Sequence, residues 1–436
     1  MKVTEFELTP DEQAIMDGEQ GEVLQRVMNT VVTYGKLMGA TRLVDLQAAP
    51  HLALSWSTDG FYPFIKIFKE LADAGLRTYA PFTSNPKAMD HENLDPGEAK
   101  RVIMNEAHSH DALLTGIYEK LGMVKNAWSC ASFLPEIGNT PKYGDYISWT
   151  ESSAINFANS VLGARTNRNS MGIDMMTAIL GKAPYFGLMT DEGRQATWLI
   201  DCRLSKLPHP QLIGAAIGLK VVEDVPYVIG MDEMVNKLDD PIGYLKDLGT
   251  ATASNGAVGL FHMENVTPEA KNHGRDLLAE GYRTYVIDDA ELERLYNSYP
   301  VLWPDPDARP TRVFIGCPHN TLAQLKWWSG RILKGLEEAG QDTVACTPYI
   351  FVSDAVKTQF ELENPRLTDE VREAGIHITR NCPVVYMQTP DYDDEMIITN
   401  SNKSRAYSKA RFYLDDDLVE IVLTGELPDK APAGQS

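Results

Sequence analysis

The chain reads as an α/β protein with largely parallel sheets, and three features of the sequence predict it. Short β-branched or aromatic runs alternate with longer amphipathic stretches over most of the 436 residues, the pattern of strands joined through crossover helices. Three cysteines follow apolar runs: Cys130 in Trp-Ser-Cys-Ala-Ser-Phe, Cys317 in Phe-Ile-Gly-Cys-Pro-His and Cys382 in Arg-Asn-Cys-Pro-Val-Val. The ends of strands in such folds share an edge where ligands gather. Proline and glycine punctuate the chain between these segments, most densely from Tyr299 to Thr311, where four prolines oppose helix and sheet alike.

In order, Thr9-Pro10-Asp11-Glu12 opens a helix with a capping hydroxyl, a proline in the first turn and acids facing the helix dipole. The helical pattern runs on through Met38 to a stop at Gly39. Arg42–Leu46 reads as a strand, Phe61–Ala74 as an amphipathic helix ending at Gly75, and Arg77–Ala80 as a short strand entering the loop Ser84–Asp90. Helical spacing returns over Pro96–Leu121 and Ser152–Leu162. Thr197–Leu204, Pro226–Ile229, Gly256–Phe261, Arg312–Ile315, Ile376–Thr379 and the run from Ile397 read as strands. Asn320 or Thr321 caps a helix with Leu322, Leu325, Trp328, Ile332 and Leu336 on its apolar side.

This division predicts an α/β domain over 1–150 carrying the first of the three cysteines, a second over 151–305, a third over 306–427 carrying the other two, and a disordered tail at 428–436, which is Ala/Pro/Gly/Gln in composition. Hydrophobic residues make up 43% and charged residues 23%, ordinary values for a globular protein. The formal charge of −21 argues against nucleic acid or an anionic membrane as partner, while leaving room for a small anionic substrate beside clustered arginines. No apolar run reaches the ~18–20 residues needed to span a bilayer, and the acidic amino terminus lacks a secretory core, so a cytoplasmic location is expected.

The five cysteines form no CxxC or CxxH pair and do not read as a structural zinc site. Cys202 and Cys346 read as small buried hydrophobes. Cys130, Cys317 and Cys382 suit three thiolates converging on one metal centre; three ligands rather than four leave one iron of a cluster open to substrate, as a metal-assisted hydro-lyase requires. Gly316 permits a tight turn beside Cys317, at a strand's carboxyl end. His319, two residues on, is the first candidate for acid–base work and His51 the second. A polar segment from Glu151 to Arg168 crowds Ser153, Asn159, Thr166 and Asn167 around Arg165 and Arg168, whose forked donors match carboxylate or phosphate. Asn400, Ser401 and Lys403 form a second polar turn able to hold substrate oxygens, with Lys403 the third catalytic candidate.

Several of these runs together resemble one family. Glu151-Ser-Ser-Ala, Ala158-Asn-Ser-Val-Leu-Gly-Ala-Arg-Thr-Asn-Arg168, Tyr185-Phe-Gly-Leu188, Gly256-Ala-Val-Gly-Leu-Phe-His262, Gly316-Cys-Pro-His319 and Thr399-Asn-Ser-Asn-Lys403 are similar to the signature of aconitase X, large-subunit type. The resemblance implies the three-layer α/β/α domains of the aconitase catalytic unit without its small swivelling domain. It implies a [4Fe–4S] or [2Fe–2S] cluster held by Cys130, Cys317 and Cys382, and a separate small subunit supplying a catalytic serine, since no Gly-Pro-Leu-Ser motif occurs here. The implied activity is dehydration of a small hydroxy-carboxylate, with cis-3-hydroxy-L-proline favoured as substrate. The alternatives are a phosphomevalonate dehydratase large subunit and a cluster-free subunit that binds a ligand or partner.

Overall fold

A computed structural model describes residues 6–53, 57–389, 392 and 394–428. The tail expected to be disordered lies outside the described residues from position 429 onward.

Three parallel sheets organise the described chain. The first has the strand order His51–Leu52, Phe82–Ser84, Met123–Trp128. The second runs His262–Met263, Pro226–Ile229, Ala196–Arg203, Leu278–Asp288. The third is five-stranded, in the order His377–Thr379, Pro348–Phe351, Arg312–Ile315, Ile397–Thr399, Arg411–Phe412. Leu43–Asp45 and Lys182–Pro184 add a two-stranded antiparallel ribbon. The central strands of the third sheet are buried along their length, with Val313, Phe314, Ile315, Ile350 and Phe351 at most 1% exposed, as expected where helices cover a parallel sheet.

Each sheet has its own apolar core. Phe68, Phe82, Tyr118 and Leu121 pack by the first, Ile200, Ile213, Leu248 and Phe261 by the second, and Ile315, Ile332, Ile350 and Ile421 by the third. Residues 131–164, including Phe133, Trp149 and Phe157, belong to the third of these cores. The first cysteine's loop therefore leaves the first sheet and packs onto the third.

The structure departs from the expected elements in four places. The long amino-terminal helix is two, Pro10–Met16 and Glu22–Leu37, because Gly18 and Gly21 take φ of +87° and +99°. Residues 77–80 form no strand: Thr78 and Tyr79 donate to the carbonyls of Leu121 and Ala178, at helix ends, and the strand follows at Phe82–Ser84. The run from Gly256 to Phe261 is irregular, and only His262–Met263 pairs. The helix over 152–162 is α-helical through Phe157, then widens into a π-turn over Ala158–Leu162. Elsewhere the cap chemistry holds, with Thr321 and Gln324 forming a capping box on helix Leu322–Ala339.

Candidate functional site

Parallel strands present their carboxyl ends at one edge, and the three cysteines occupy such positions. Cys317 follows Arg312–Ile315 through Gly316, whose φ is +96° and where an added Cβ would lie 2.1 Å from Asn320 Nδ2. Only glycine fits that turn. Cys382 follows His377–Thr379 and precedes the short helix Pro383–Gln388. Cys130 comes two residues after Met123–Trp128 of the first sheet. All three line one cavity of about 510 Å³, together with Asn85, Pro86, Thr150, Glu151, Ser152, Met171, Pro383, Val384, Val385, Lys403 and Tyr407. Cys202 and Cys346 do not line it.

The cavity carries one buried ion pair. Lys403 Nζ donates to Glu151 Oε1 at 2.6 Å and to the hydroxyls of Ser152 and Ser153 at 3.2 and 3.1 Å, so the ammonium is held at three points. Burial opposes both charges. The pair prevails: Glu151 and the neighbouring cysteines keep Lys403 firmly protonated, and Lys403 holds Glu151 below the usual carboxylate range. Glu151 also caps helix Ser152–Phe157, accepting from the Ala154 N–H at 2.7 Å. Burial pushes the Cys317 thiol up to about 12 and the other two upward, Lys403 pulling each partly back.

Among the described residues, no three histidine, cysteine or acidic side chains stand together in a way that suits a single metal ion. The thiols instead belong to three separate loops around one cavity. An all-cysteine donor set distributed in this way fits an extended iron–sulfur core, which Cys130, Cys317 and Cys382 would hold.

The polar turn after Ile397–Thr399 braces the Cys317 loop. Ser401 Oγ donates to the Cys317 carbonyl at 2.7 Å, and Asn400 Oδ1 accepts the Gly316 N–H at 3.1 Å. Gln211, from the second sheet's helix Pro210–Val221, donates to the same Cys317 carbonyl at 3.2 Å. His51 sits on the first strand of the first sheet, wholly buried, its Nδ1 2.8 Å from Thr83 Oγ1 and its ring edge-on to Trp149. The Asn85 side chain, part of the cavity wall, interacts with the buried His51 ring. Burial brings the pKa of His51 down to about 4.

Residues 5–192 match the model for the aconitase X first domain, and residues 196–297 the model for the aconitase X second domain. The chain belongs to the aconitase X family. It is similar to the phosphomevalonate dehydratase large subunits of Methanocaldococcus jannaschii (30% identical, covering 92% of this chain and 94% of that one) and Thermococcus kodakarensis (32%, 73% and 75%). It is also similar to the cis-3-hydroxy-L-proline dehydratase of Pseudomonas aeruginosa (30%, 72% and 52%). The crystal structure of holo-form aconitase X from Thermococcus kodakaraensis superposes with a TM-score of 0.79 at 27% identity, covering 96% of this chain and all of that one. The aconitase X chain described here is accordingly a carbon–oxygen hydro-lyase of the hydroxy-acid dehydratase class with an α/β fold. No helix among the described residues is long and apolar enough to cross a membrane.

The aconitase X signature around Arg165 has a different place in the structure from the one its composition suggests. Asn159 accepts from Thr166 N–H and Arg194 Nη1, and donates to the carbonyls of Thr166 and Gly259. Asn167 bridges Phe186 and Leu188, and the Thr166 hydroxyl donates to the Asn167 carbonyl. Arg165 binds Asp191 and the Met189 carbonyl. At the centre lies Arg194, 1% exposed, bidentate to Glu269 at 2.7 and 2.8 Å. Asn159, Thr166 and Asn167 are thus consumed by a buried network, Arg165 pairs with the exposed Asp191, and none of the four lines the cavity. Ser153 contacts Lys403 and Glu151. Arg168 alone of the motif is exposed and unpaired; partial burial lowers its pKa, against which the Glu223 carboxylate and the side chain of the cavity residue Tyr407 act. Asn85, Thr150 and Tyr407, which the sequence did not single out as site members, line the cavity, and so does Glu151, which opens the polar segment read from the sequence.

Proposed function

We propose that Cys130, Cys317 and Cys382 hold an iron–sulfur cluster in this cavity and that the chain, with a small partner subunit, dehydrates a compact hydroxy-carboxylate there. The observation that carries the reading is that three of the five cysteines, from two different sheets, line one cavity beside a buried Lys403–Glu151 pair. When bound, such a cluster supplies Lewis acidity toward a hydroxyl leaving group. The chain's own groups supply the rest. Lys403, held protonated against Glu151, keeps a cation beside the three thiols. Arg168, exposed and unpaired, offers a forked donor to that carboxylate at the Tyr407 side of the cavity. Asn85, on the cavity wall beside the buried His51, presents an amide toward a substrate. Proton removal next to the carboxylate falls to a group on the partner subunit, as the "large subunit" names of several relatives support.

Met171, Pro383, Val384, Val385 and Tyr407 give the cavity an apolar wall, and its one lysine is already neutralised by Glu151. That lining suits a small ring or alkyl hydroxy acid, such as a 3-hydroxyproline, over a phosphate ester. Phosphomevalonate is the second reading, because this chain spans 94% of the Methanocaldococcus jannaschii large subunit but 52% of the Pseudomonas aeruginosa hydroxyproline enzyme. Co-expression with a small subunit of this family, anaerobic reconstitution, and assay of both substrates decides between them. Turnover of cis-3-hydroxy-L-proline alone supports the first reading. Turnover of 5-phosphomevalonate alone replaces it with the second.

A further inference from the structure

His319 stands where an acid–base residue was expected, yet its contacts point elsewhere. The residue is 0% exposed and does not line the cavity. Its imidazole joins loops that are distant in sequence. Nδ1 lies 3.3 Å from Ser129 Oγ, beside Cys130, and Nε2 lies 3.3 Å from the carbonyl of Asn381, beside Cys382. Its own backbone N–H donates to the Cys130 sulfur at 3.2 Å, while the chain two residues earlier is Cys317 itself. A single residue therefore ties together the loops bearing all three thiols.

The partners also fix the tautomer. Ser129 Oγ accepts the Ala131 N–H at 3.0 Å, and among the described residues its other hydrogen-bond partner is His319 Nδ1. The serine hydroxyl thus donates to Nδ1, and the remaining ring proton sits on Nε2, where it donates to the Asn381 carbonyl. A neutral imidazole with one lone pair and one N–H matches this pair of partners, and no smaller side chain spans them.

Resting on the three-cysteine reading above, we infer that His319 is a positioning residue that sets the spacing of Cys130, Cys317 and Cys382 for the cluster, and that it takes no part in proton transfer with substrate. Groups that orient ligands from behind commonly account for 10–100-fold in metal affinity. The test uses the full chain reconstituted anaerobically with ferrous iron and sulfide, followed by its visible charge-transfer absorbance and by the rate at which a chelator strips the iron. His319→Ala is expected to lose iron about 10–100-fold faster than the wild type. His319→Gln, which restores an N–H donor at the reach of Nε2, should recover part of that retention, and Ser129→Ala, which removes only the Nδ1 contact, should show a smaller loss. Iron retention by His319→Ala equal to that of the wild type overturns the inference, since an acid–base role leaves retention unchanged. Should His319→Ala fail to fold, wild-type retention in both His319→Gln and Ser129→Ala overturns it equally, and faster loss in either supports it. A wild-type chain that takes up no iron rejects the cluster reading itself, a result distinct from all of these.

Discussion

Two polar motifs in this chain look alike as sequence and are used in opposite ways. The run from Ala158 to Arg168 is rich in amides, hydroxyls and arginine, and the fold turns nearly all of it inward, onto Arg194, Glu269 and backbone carbonyls. The run from Thr399 to Lys403 is shorter and plainer, yet it supports the cavity directly: Asn400 and Ser401 brace the Cys317 loop, and Lys403 enters the cavity wall. The difference lies in the supply of partners. A donor buried among complementary acceptors is structural whatever its chemistry, and a donor at a strand end beside a cavity is available to a ligand.

Breaking the inward network should cost the most stability. Glu269→Gln removes the charge that Arg194 needs in a site 1% exposed, and a buried pair broken on one side typically costs about 3–5 kcal/mol. Urea unfolding of the cluster-free chain measures it. A loss under about 1 kcal/mol would show the network to be dispensable and restore its candidacy as an anion site.

Asn400→Ala tests the outward motif. It removes the acceptor for the Gly316 N–H and the donor to Asp415, an expected loss of about 1–3 kcal/mol. Because those bonds brace the Cys317 turn, iron retention should fall along with stability. Retention at the wild-type level would separate the turn from the cavity.

Asp174 is buried outside both motifs, accepting from Asn169 Nδ2, Thr150 Oγ1 and Ser148 Oγ. Burial outweighs these donors and raises its pKa from 3.8 to about 7. The folded chain therefore holds a proton there that the unfolded chain has released. This contribution to stability is complete below the unfolded value of 3.8, declines as pH rises, and is lost through about 7, with a slope of about 1.4 kcal/mol per pH unit at most. Asp174→Asn should remove that slope between those limits, as read from unfolding midpoints at several pH values. Identical pH profiles for the two proteins would refute it.

The smallest stability effect should fall on Arg168. Exposed and unpaired, it should change stability by no more than about 0.5 kcal/mol on substitution by alanine, while KM for the hydroxy acid rises and the unfolding midpoint stays in place. An unchanged KM would remove Arg168 from the substrate's path.

Which parts were legible follows from range. The strands at Pro226–Ile229 and Arg312–Ile315 and the Thr321 cap are written in local patterns, and the chain adopts them. The cysteines were legible because each closes an apolar run, a local sign of a strand end. The role of the Arg165 motif was hidden, because Arg194 and Glu269 lie 35 and 110 residues from Asn159 in the chain and their pairing exists only once the second sheet is built. Residues 77–80 misled for a related reason: an apolar-polar alternation there finds helix ends to bond rather than a neighbouring strand. Glu151 was visible as a residue, but its partner Lys403 is 252 positions away.

The central claim is that Cys130, Cys317 and Cys382 act as one ligand set. Its most direct measurement is iron and sulfide content, with the accompanying electron paramagnetic resonance spectrum, of the anaerobically reconstituted chain and its five single Cys→Ser variants. One cluster per wild-type chain, lost or reshaped at positions 130, 317 and 382 and intact at 202 and 346, is the predicted result. A cluster that survives Cys317→Ser unchanged, or one that disappears with Cys202→Ser or Cys346→Ser, would contradict it.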